Sequence, residues 1–470
     1  MTHRPGETDG RVTRRTALGA LAGAGAATLL RPSAGIAALT QEAIPPSVFS
    51  LGAGSVNGSS GTIAAPRAFS LVGVQWSSPQ HVRIELRVRR RDGKWSRWAV
   101  ASSLGHGPDG SPPGEPLIGE GIWTGPAEYI ELRASRPMRD VVLHFVAPEP
   151  AATFGARAAA SSLARAQPIL NAGPGQPPII ARQAWARGKA PPAVQPGYGT
   201  VKLAFVHHTD NPNGYSAAQV PSMLYAIYQF HRYTRGWDDI GYNFVIDLFG
   251  RIWEARKGGI DQAVVGAQAG AYNKVSTGVA VLGTFDSVLP TGAALGALKR
   301  LLAWKLSLHG VPTSGRVTVE VNPAAAFYTP FKPGAHVSLP RVAGHRDGDS
   351  TACPGDALYG HLPAIRPQVH AMARTPLKLS LSTSASKVGQ GTPVELYGTL
   401  KRLSGTPVAG ATIELQQLTT SGAETTFQRL TTDSGGGWSA SLTPLRTVRV
   451  RALHRAAPAA VSDSTVLVVR

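Results

Sequence analysis

Val201-Lys202-Leu203-Ala204-Phe205-Val206-His207-His208-Thr209 is the stretch on which the reading of this chain turns. A short apolar run of β-branched and aromatic residues predicts a buried strand, and the strand ends by delivering two imidazoles. Downstream, Val220, Met223, Leu224, Ile227 and Phe230 recur at helical spacing, which predicts one amphipathic helix. Phe244-Val245-Ile246, Arg251-Ile252-Trp253-Glu254 and Val279-Ala280-Val281-Leu282 read as further strands, with Gly250 in a turn, and Leu295 to Leu308 reads as a second helix. Strand and helix patterns in this alternation predict a mixed α/β domain over 179–372.

On either side the period falls to two. Val82, Ile84, Leu86 and Val88 alternate with Arg83, Glu85, Arg87 and Arg89, and Tyr129-Ile130-Glu131-Leu132 and Val141-Val142-Leu143-His144-Phe145 look like further strands. This predicts an N-terminal β-sandwich over 45–148. Trp95 and Trp98 follow an Asp92-Gly93 turn and either pack a sandwich edge or form a platform for a sugar. Residues 149–178 are rich in Ala, Pro and Gly and read as a linker. Beyond Arg374 the alternation returns at Leu377, Leu379 and Leu381, at Val394 and Leu396, at Ile413 and Leu415, and at Val448 and Val450. Turn signals such as Ser434-Gly435-Gly436-Gly437 separate these runs, which predicts an immunoglobulin-like β-sandwich over 375–470.

The N-terminus addresses the compartment. Arg4, Arg11, Arg14 and Arg15 precede an uncharged stretch from Thr16 to Leu30. That stretch is too short to cross a hydrocarbon core of roughly 30 Å as a helix, and it fits a signal peptide over 1–38. Thr13-Arg14-Arg15-Thr16-Ala17-Leu18 resembles a twin-arginine export signal, so the expected location is secreted or associated with a cell wall. No later segment has the long apolar run of a transmembrane span.

Composition narrows the classes. A chain of 470 residues predicts about three domains. A hydrophobic content of 43% excludes a wholly disordered chain. The single cysteine excludes an intrachain disulfide framework and a multi-cysteine zinc finger. A net charge of +19 invites a nucleic-acid reading, but the charge is spread along the chain, its densest run being Arg89-Arg90-Arg91. A diffuse positive field suits an anionic surface such as cell-wall polymers at least as well as a DNA groove, and no basic cluster calls for nucleic acid.

Two features carry chemistry: His207-His208 at a strand end, and Gly344-His345-Arg346-Asp347 followed by Thr351-Ala352-Cys353-Pro354-Gly355. One His from a strand with a His and a Cys from a loop would supply three ligands. Imidazole nitrogen and thiolate sulfur suit Zn²⁺, with a fourth position left for water. Spacing alone leaves two other readings open, a buried structural His pair and a Cys–His nucleophile.

From about Ile179 to Val369 the sequence resembles the peptidoglycan recognition proteins and type 2 N-acetylmuramoyl-L-alanine amidases, in the form secreted by actinobacteria. Four blocks carry the resemblance: Arg182-Gln183-Ala184-Trp185-Ala186; Val206-His207-His208-Thr209; Gly236-Trp237-Asp238-Asp239-Ile240-Gly241-Tyr242-Asn243-Phe244, running on to Glu254-Ala255-Arg256; and Gly344-His345-Arg346 with Thr351-Ala352-Cys353-Pro354-Gly355. The β-rich stretch from Arg316 to Pro340 looks like the insertion of secreted members. The resemblance implies a zinc amidase acting on peptidoglycan or muropeptides, with His207, His345 and Cys353 as metal ligands and Tyr242 and Thr351 as catalytic residues. Asn273 and Arg256 align with substrate-binding positions in the groove. His208, pointing to the other face of its strand, is expected to have no metal role. Gly266-Ala267-Gln268 departs from the commoner Gly-Ala-His, a change expected to alter the groove and leave the metal untouched. A non-catalytic peptidoglycan-binding module is the alternative, and the presence of Cys353 favours the enzyme.

Overall fold

Residues 44–77, 82–101, 117–149, 175–373, 375–418 and 424–470 are described by the computed structural model. The expected signal peptide and most of the expected linker lie outside them.

The alternation around Val82 does form a strand, because Ile84, Leu86 and Val88 bury their side chains in one core while Glu85 and Arg87 stay at the surface. The N-terminal strands are β1 (Val48–Val56), β2 (Ser59–Trp76), β3 (Ile84–Arg90), β4 (Ala99–Val100), β5 (Leu117–Ile118), β6 (Ile122–Ala134) and β7 (Met138–Val146). They hydrogen-bond as one antiparallel sheet in the order β1-β7-β2-β6-β3-β4, with β5 on β2. The long strands β2 and β6 stay paired through three irregularities of register, so the ladder never divides into two separate sheets. Trp95 and Trp98 stack against Arg87, whose guanidinium carbon lies 4.8 and 4.9 Å from their ring centroids. Arg87 in turn is paired with Glu131 at 2.6 Å.

The central strands are β8 (Ile179–Ile180), β9 (Leu203–His208), β10 (Phe244–Ile246), β11 (Ile252–Glu254), β12 (Ser276–Val281), β13 (Arg316–Glu320), β14 (His336–Pro340) and β15 (Val342–Gly344). Six of them make a mixed sheet in the order β15-β9-β12-β10-β11-β8, and β13 and β14 form a separate hairpin. The helices are α1 (Gln183–Ala186), α2 (Val220–Gln229), α3 (Gly292–Leu308) and α4 (Asp356–Met372). Along β9, Ala204 and Val206 join the core under α3 and α4, whereas Phe205 packs with Tyr272 on the opposite face. This period of two turns His207 toward the second face. Helix α2 is preceded by a 3-10 turn, Ala217–Gln219, that opens on a capping box in which Gln219 Oε1 accepts the Ser216 N–H at 2.7 Å. It ends in a π turn, Phe230–Thr234.

The C-terminal strands β16 (Leu377–Leu379), β17 (Ser382–Thr383), β18 (Lys387–Val388), β19 (Val394–Arg402), β20 (Thr412–Leu418), β21 (Glu424–Thr431), β22 (Gly437–Leu442), β23 (Val448–His454), β24 (Ala460–Val461) and β25 (Thr465–Val469) form two sheets. Leu379, Leu396, Leu400 and Trp438 from one meet Ile413, Leu415, Val450 and Leu467 from the other in a shared core. No helix among the described residues is long and apolar enough to cross a membrane.

This domain docks on the central one through a buried charge cluster. Arg451, fully buried, pairs with Asp261 of the central domain at 3.0 Å and with Glu424 at 2.7 Å, and its Nε donates to Gln416 at 2.9 Å. Removing one partner of such a pair strands the other charges out of water. Arg451→Ala is therefore expected to destabilise the protein by about 3–5 kcal/mol in chemical denaturation. A midpoint equal to that of the wild type would show that the cluster contributes nothing to docking.

Candidate metal centre

Register assembles the site. Strands β9 and β15 run parallel with Gly344 opposite Val206, so the next residue on each, His345 and His207, emerges at the same level of the sheet edge. Their rings lie 4.6 Å apart, centroid to centroid. From His345 the chain makes one 3-10 turn and loops back, held by the Arg346 N–H donating to the Cys353 carbonyl at 3.1 Å. This brings Cys353 Sγ to 3.7 Å from His207 Nδ1. One ligand atom from each of His207, His345 and Cys353 can be chosen so that all lie within 4.8 Å of one another. With metal–nitrogen bonds of about 2.0 Å and metal–sulfur bonds of about 2.3 Å, a single cation fits between them.

Both imidazoles are set by a partner on the edge away from the metal position. His207 Nε2 lies 2.5 Å from Gln268 Oε1, so it is the protonated nitrogen and Nδ1 faces Cys353. His345 Nε2 lies 3.0 Å from Asp349 Oδ2, which directs Nδ1 to ligation. Gln268 is fixed in turn, since its amide donates to Ser276 Oγ at 2.9 Å and its N–H donates to Asn273 Oδ1 at 2.9 Å. The expectation that the Gln268 substitution leaves the metal position untouched is thus corrected: the residue bears directly on His207, a candidate ligand. Local sequence carried no sign of this, because Gln268 and His207 meet only through the sheet. Asp349 meets His345 from four residues along the same tight loop, a spacing that is legible in the sequence. His208 lies on the other side of β9, where its Nδ1 accepts the Phe285 N–H at 3.4 Å.

The remaining site residues divide. Tyr242 is buried with its ring 5.4 Å from that of His207. Burial first, and then the charge of Glu120, push its phenol well above its ordinary value, so it holds its proton. Thr351 Oγ1 accepts the Cys353 N–H at 3.2 Å and shapes the ligand loop. Arg256 lines a cleft of about 380 Å³ with Trp237, Asp238 and Lys257. Asn273 is 1% exposed, and its Oδ1 accepts the N–H groups of Gln268 and Ala269, so it builds the turn behind the ligand rather than the cleft surface. Burial also pushes the Cys353 thiol well up, opposed by the His208 N–H that donates to Sγ at 3.4 Å.

Comparison with known proteins bears on the same region. Residues 197–356 match the N-acetylmuramoyl-L-alanine amidase family model, and residues 32–167 match the model described as Rv3811 N-terminal galactose-binding domain-like. The chain is 28% identical over 185 residues to peptidoglycan-recognition protein LB of Drosophila melanogaster, covering 39% of this chain and 67% of that protein. It is 32% identical over 196 residues to an N-acetylmuramoyl-L-alanine amidase of Sus scrofa, covering 40% of this chain and 27% of that protein. The solved structure of Drosophila PGRP-LB aligns at 26% identity over 40% of this chain and 92% of that one, with a TM-score of 0.31.

Two outcomes follow from the ligand geometry. Gln268→Ala frees the His207 ring, and zinc affinity measured by chelator competition is expected to fall roughly 10–100-fold; unchanged affinity would refute the tautomer assignment. A thiol raised by burial is protonated at neutral pH, so metal uptake must displace its proton, and affinity is expected to rise with pH. Calorimetry in buffers of different ionisation enthalpy checks this by counting the protons released.

Proposed function

The central domain, residues 197–356, belongs to the N-acetylmuramoyl-L-alanine amidase family, and from that premise we propose that this protein is a zinc-dependent hydrolase of the amide between the lactyl group of N-acetylmuramic acid and L-alanine of the peptidoglycan stem peptide. The observation that carries the reading is the convergence of His207, His345 and Cys353 beside the buried ring of Tyr242. Zn²⁺ held by these three would polarise the scissile carbonyl and lower the pKa of a water to about 7.

The chain's own residues supply the rest. Gln268 and Asp349 hold the two imidazoles in the tautomer that ligates. Tyr242, protonated, is a hydrogen-bond donor for the oxygen on which negative charge develops. Thr351 keeps the Cys353 loop in place and is near enough to the ligand to assist that oxygen. Arg256, on the rim of the cleft with Trp237, offers a cation for the carboxylates of a stem peptide. Asn273 acts indirectly, through the turn that carries Gln268. Export by the twin-arginine route, an immunoglobulin-like C-terminal module and electrostatic attraction to anionic wall polymers complete the reading of a secreted protein at the cell wall, with the net charge of +19 in its support.

A second reading, a binding module without catalysis, draws support from a relative named a peptidoglycan-recognition protein. A Cys–His nucleophile is disfavoured, because a thiol kept protonated by burial is a poor nucleophile.

Digestion of peptidoglycan followed by mass spectrometry separates these readings. The zinc-loaded protein is expected to release free stem peptides, whereas a binding module would retain muropeptides uncut. Tyr242→Phe is expected to lower kcat about 10²-fold by removing one donor to the oxyanion. Activity of Cys353→Ser at the wild-type level after chelation would rule out the zinc mechanism.

A further inference from the structure

The N-terminal sheet is wedged against the end of α2, next to Tyr242. The ring of Phe230, first residue of the π turn, fills the space beside Gly73 and Gly121, and neither glycine has room for a Cβ. Leu71, Trp123 and Val146 of the sheet share one apolar cluster with Met223, Ile227 and Tyr242 of the central domain.

Around that contact the short turn Gly119-Glu120-Gly121 is gripped from two sides. On one side, Arg235 Nη2 donates to the carbonyls of Ile118 at 3.0 Å and Gly119 at 2.8 Å, and lies 3.6 Å from Glu120 Oε1. On the other, the Trp123 N–H donates to Asn211 Oδ1 at 2.5 Å, and Asn211 donates to the carbonyl of Thr209, one residue beyond the ligand strand. Between the two grips, Glu120 Oε2 stands 3.8 Å from Nε2 of His231, a residue 1% exposed. His231 Nδ1 accepts the N–H of Gly241 at 3.1 Å, and its ring meets the Tyr242 ring edge-on at 5.8 Å. Because Nδ1 accepts, the proton of a neutral ring lies on Nε2, the edge that faces the carboxylate.

We propose that the N-terminal β-domain completes the candidate active site, with Glu120 as a positioning residue that orients His231 and, through the Gly241 N–H, fixes Tyr242 against His207. The proposal rests on the amidase reading for its kinetic consequence and on geometry alone for the ring orientation. The carboxylate and the Arg235 guanidinium neutralise one another where both are buried, and the imidazole takes its tautomer from the acid on one edge and the amide on the other. A chain with the same central domain and no docked sheet would leave His231 without this acid, and the Gly241 N–H with an acceptor whose ring orientation is no longer set.

The test uses the full zinc-loaded chain with Glu120→Gln, which keeps the side-chain shape, and Glu120→Asp, which keeps the charge. Steady-state release of stem peptides is expected to show kcat down roughly tenfold or more in E120Q with KM within twofold, and partial recovery in E120D. Zinc content is expected to stay at the wild-type level in both. Independently of turnover, ring-nitrogen NMR of ¹⁵N-histidine protein, with His231 assigned by its loss in His231→Gln, is expected to report a single Nε2–H tautomer in the wild type and a shifted or mixed one in E120Q. Wild-type kcat in E120Q, or His231 nitrogen signals identical to the wild type, overturns the proposal. If the wild type itself releases no stem peptide, the amidase reading fails and the nitrogen signals alone decide the role of Glu120.

Discussion

The parallel pairing of β9 with β15 is the constraint on which the rest of the site depends. Adjacent strands lie about 4.8 Å apart, so two residues at one level of neighbouring strands are already at the spacing of two ligands on one ion. Val206 opposite Gly344 sets that level for His207 and His345. A slip of one residue would turn one of the two imidazoles to the α3/α4 face, where His208 already points. Gly344 also admits the packing of α4 against the strand end, since a Cβ there would lie 2.7 Å from the Tyr359 ring. The helix that follows Cys353 is thereby held close, and with it Cys353.

A polar site buried this deeply is tolerable only if each group has a partner. The imidazoles meet Gln268 and Asp349, Gln268 meets Ser276 and Asn273, and the thiol receives the His208 N–H. The thiol is the exception in kind, since one weak donor does not offset its desolvation and its proton stays on. A divalent cation reverses that balance by favouring the thiolate directly. The same burial that hinders the thiol as a nucleophile makes it suited to ligation, and it keeps Tyr242 a donor.

What could be read in the sequence was local or periodic. The β9 strand and the α2 and α3 helices emerge close to their expected places, because a period of two or of 3.6 reports which face is buried, and the stretch from Arg316 to Pro340, β-rich in the sequence, forms the β13–β14 hairpin. The three ligand types were legible as types, and the resemblance ordered them. What was not legible is contact made by topology. Gln268 carries no signal of its position against His207, since only the β9–β12 pairing and the turn held by Asn273 bring it there. The N-terminal strands were legible as strands, but their union in one sheet depends on which edges pair, and alternation is silent on that. Glu120 was beyond reach for a further reason. It sits on a turn flanked by two glycines in a different domain, and nothing in its own neighbourhood names His231 as its neighbour.

Both flanking domains meet the central one through contacts that a loose tether would not make. At one end a phenylalanine ring is fitted between two glycines, and at the other a fully buried arginine spans the interface to an aspartate. Polar latches buried within apolar contact tolerate little displacement, because parting them slightly removes the hydrogen bond without admitting enough water to replace it. Domains joined in this way move together, in contrast to the mobility that weak interdomain contacts permit. Residues on the outer sheets are therefore held at a fixed distance and angle from the central domain. A long flexible linker would instead set only an effective concentration. The placement of Glu120 between Arg235 and His231 is the extreme case of that rigidity, since it makes the geometry beside Tyr242 depend on a sheet that begins more than a hundred residues earlier in the chain.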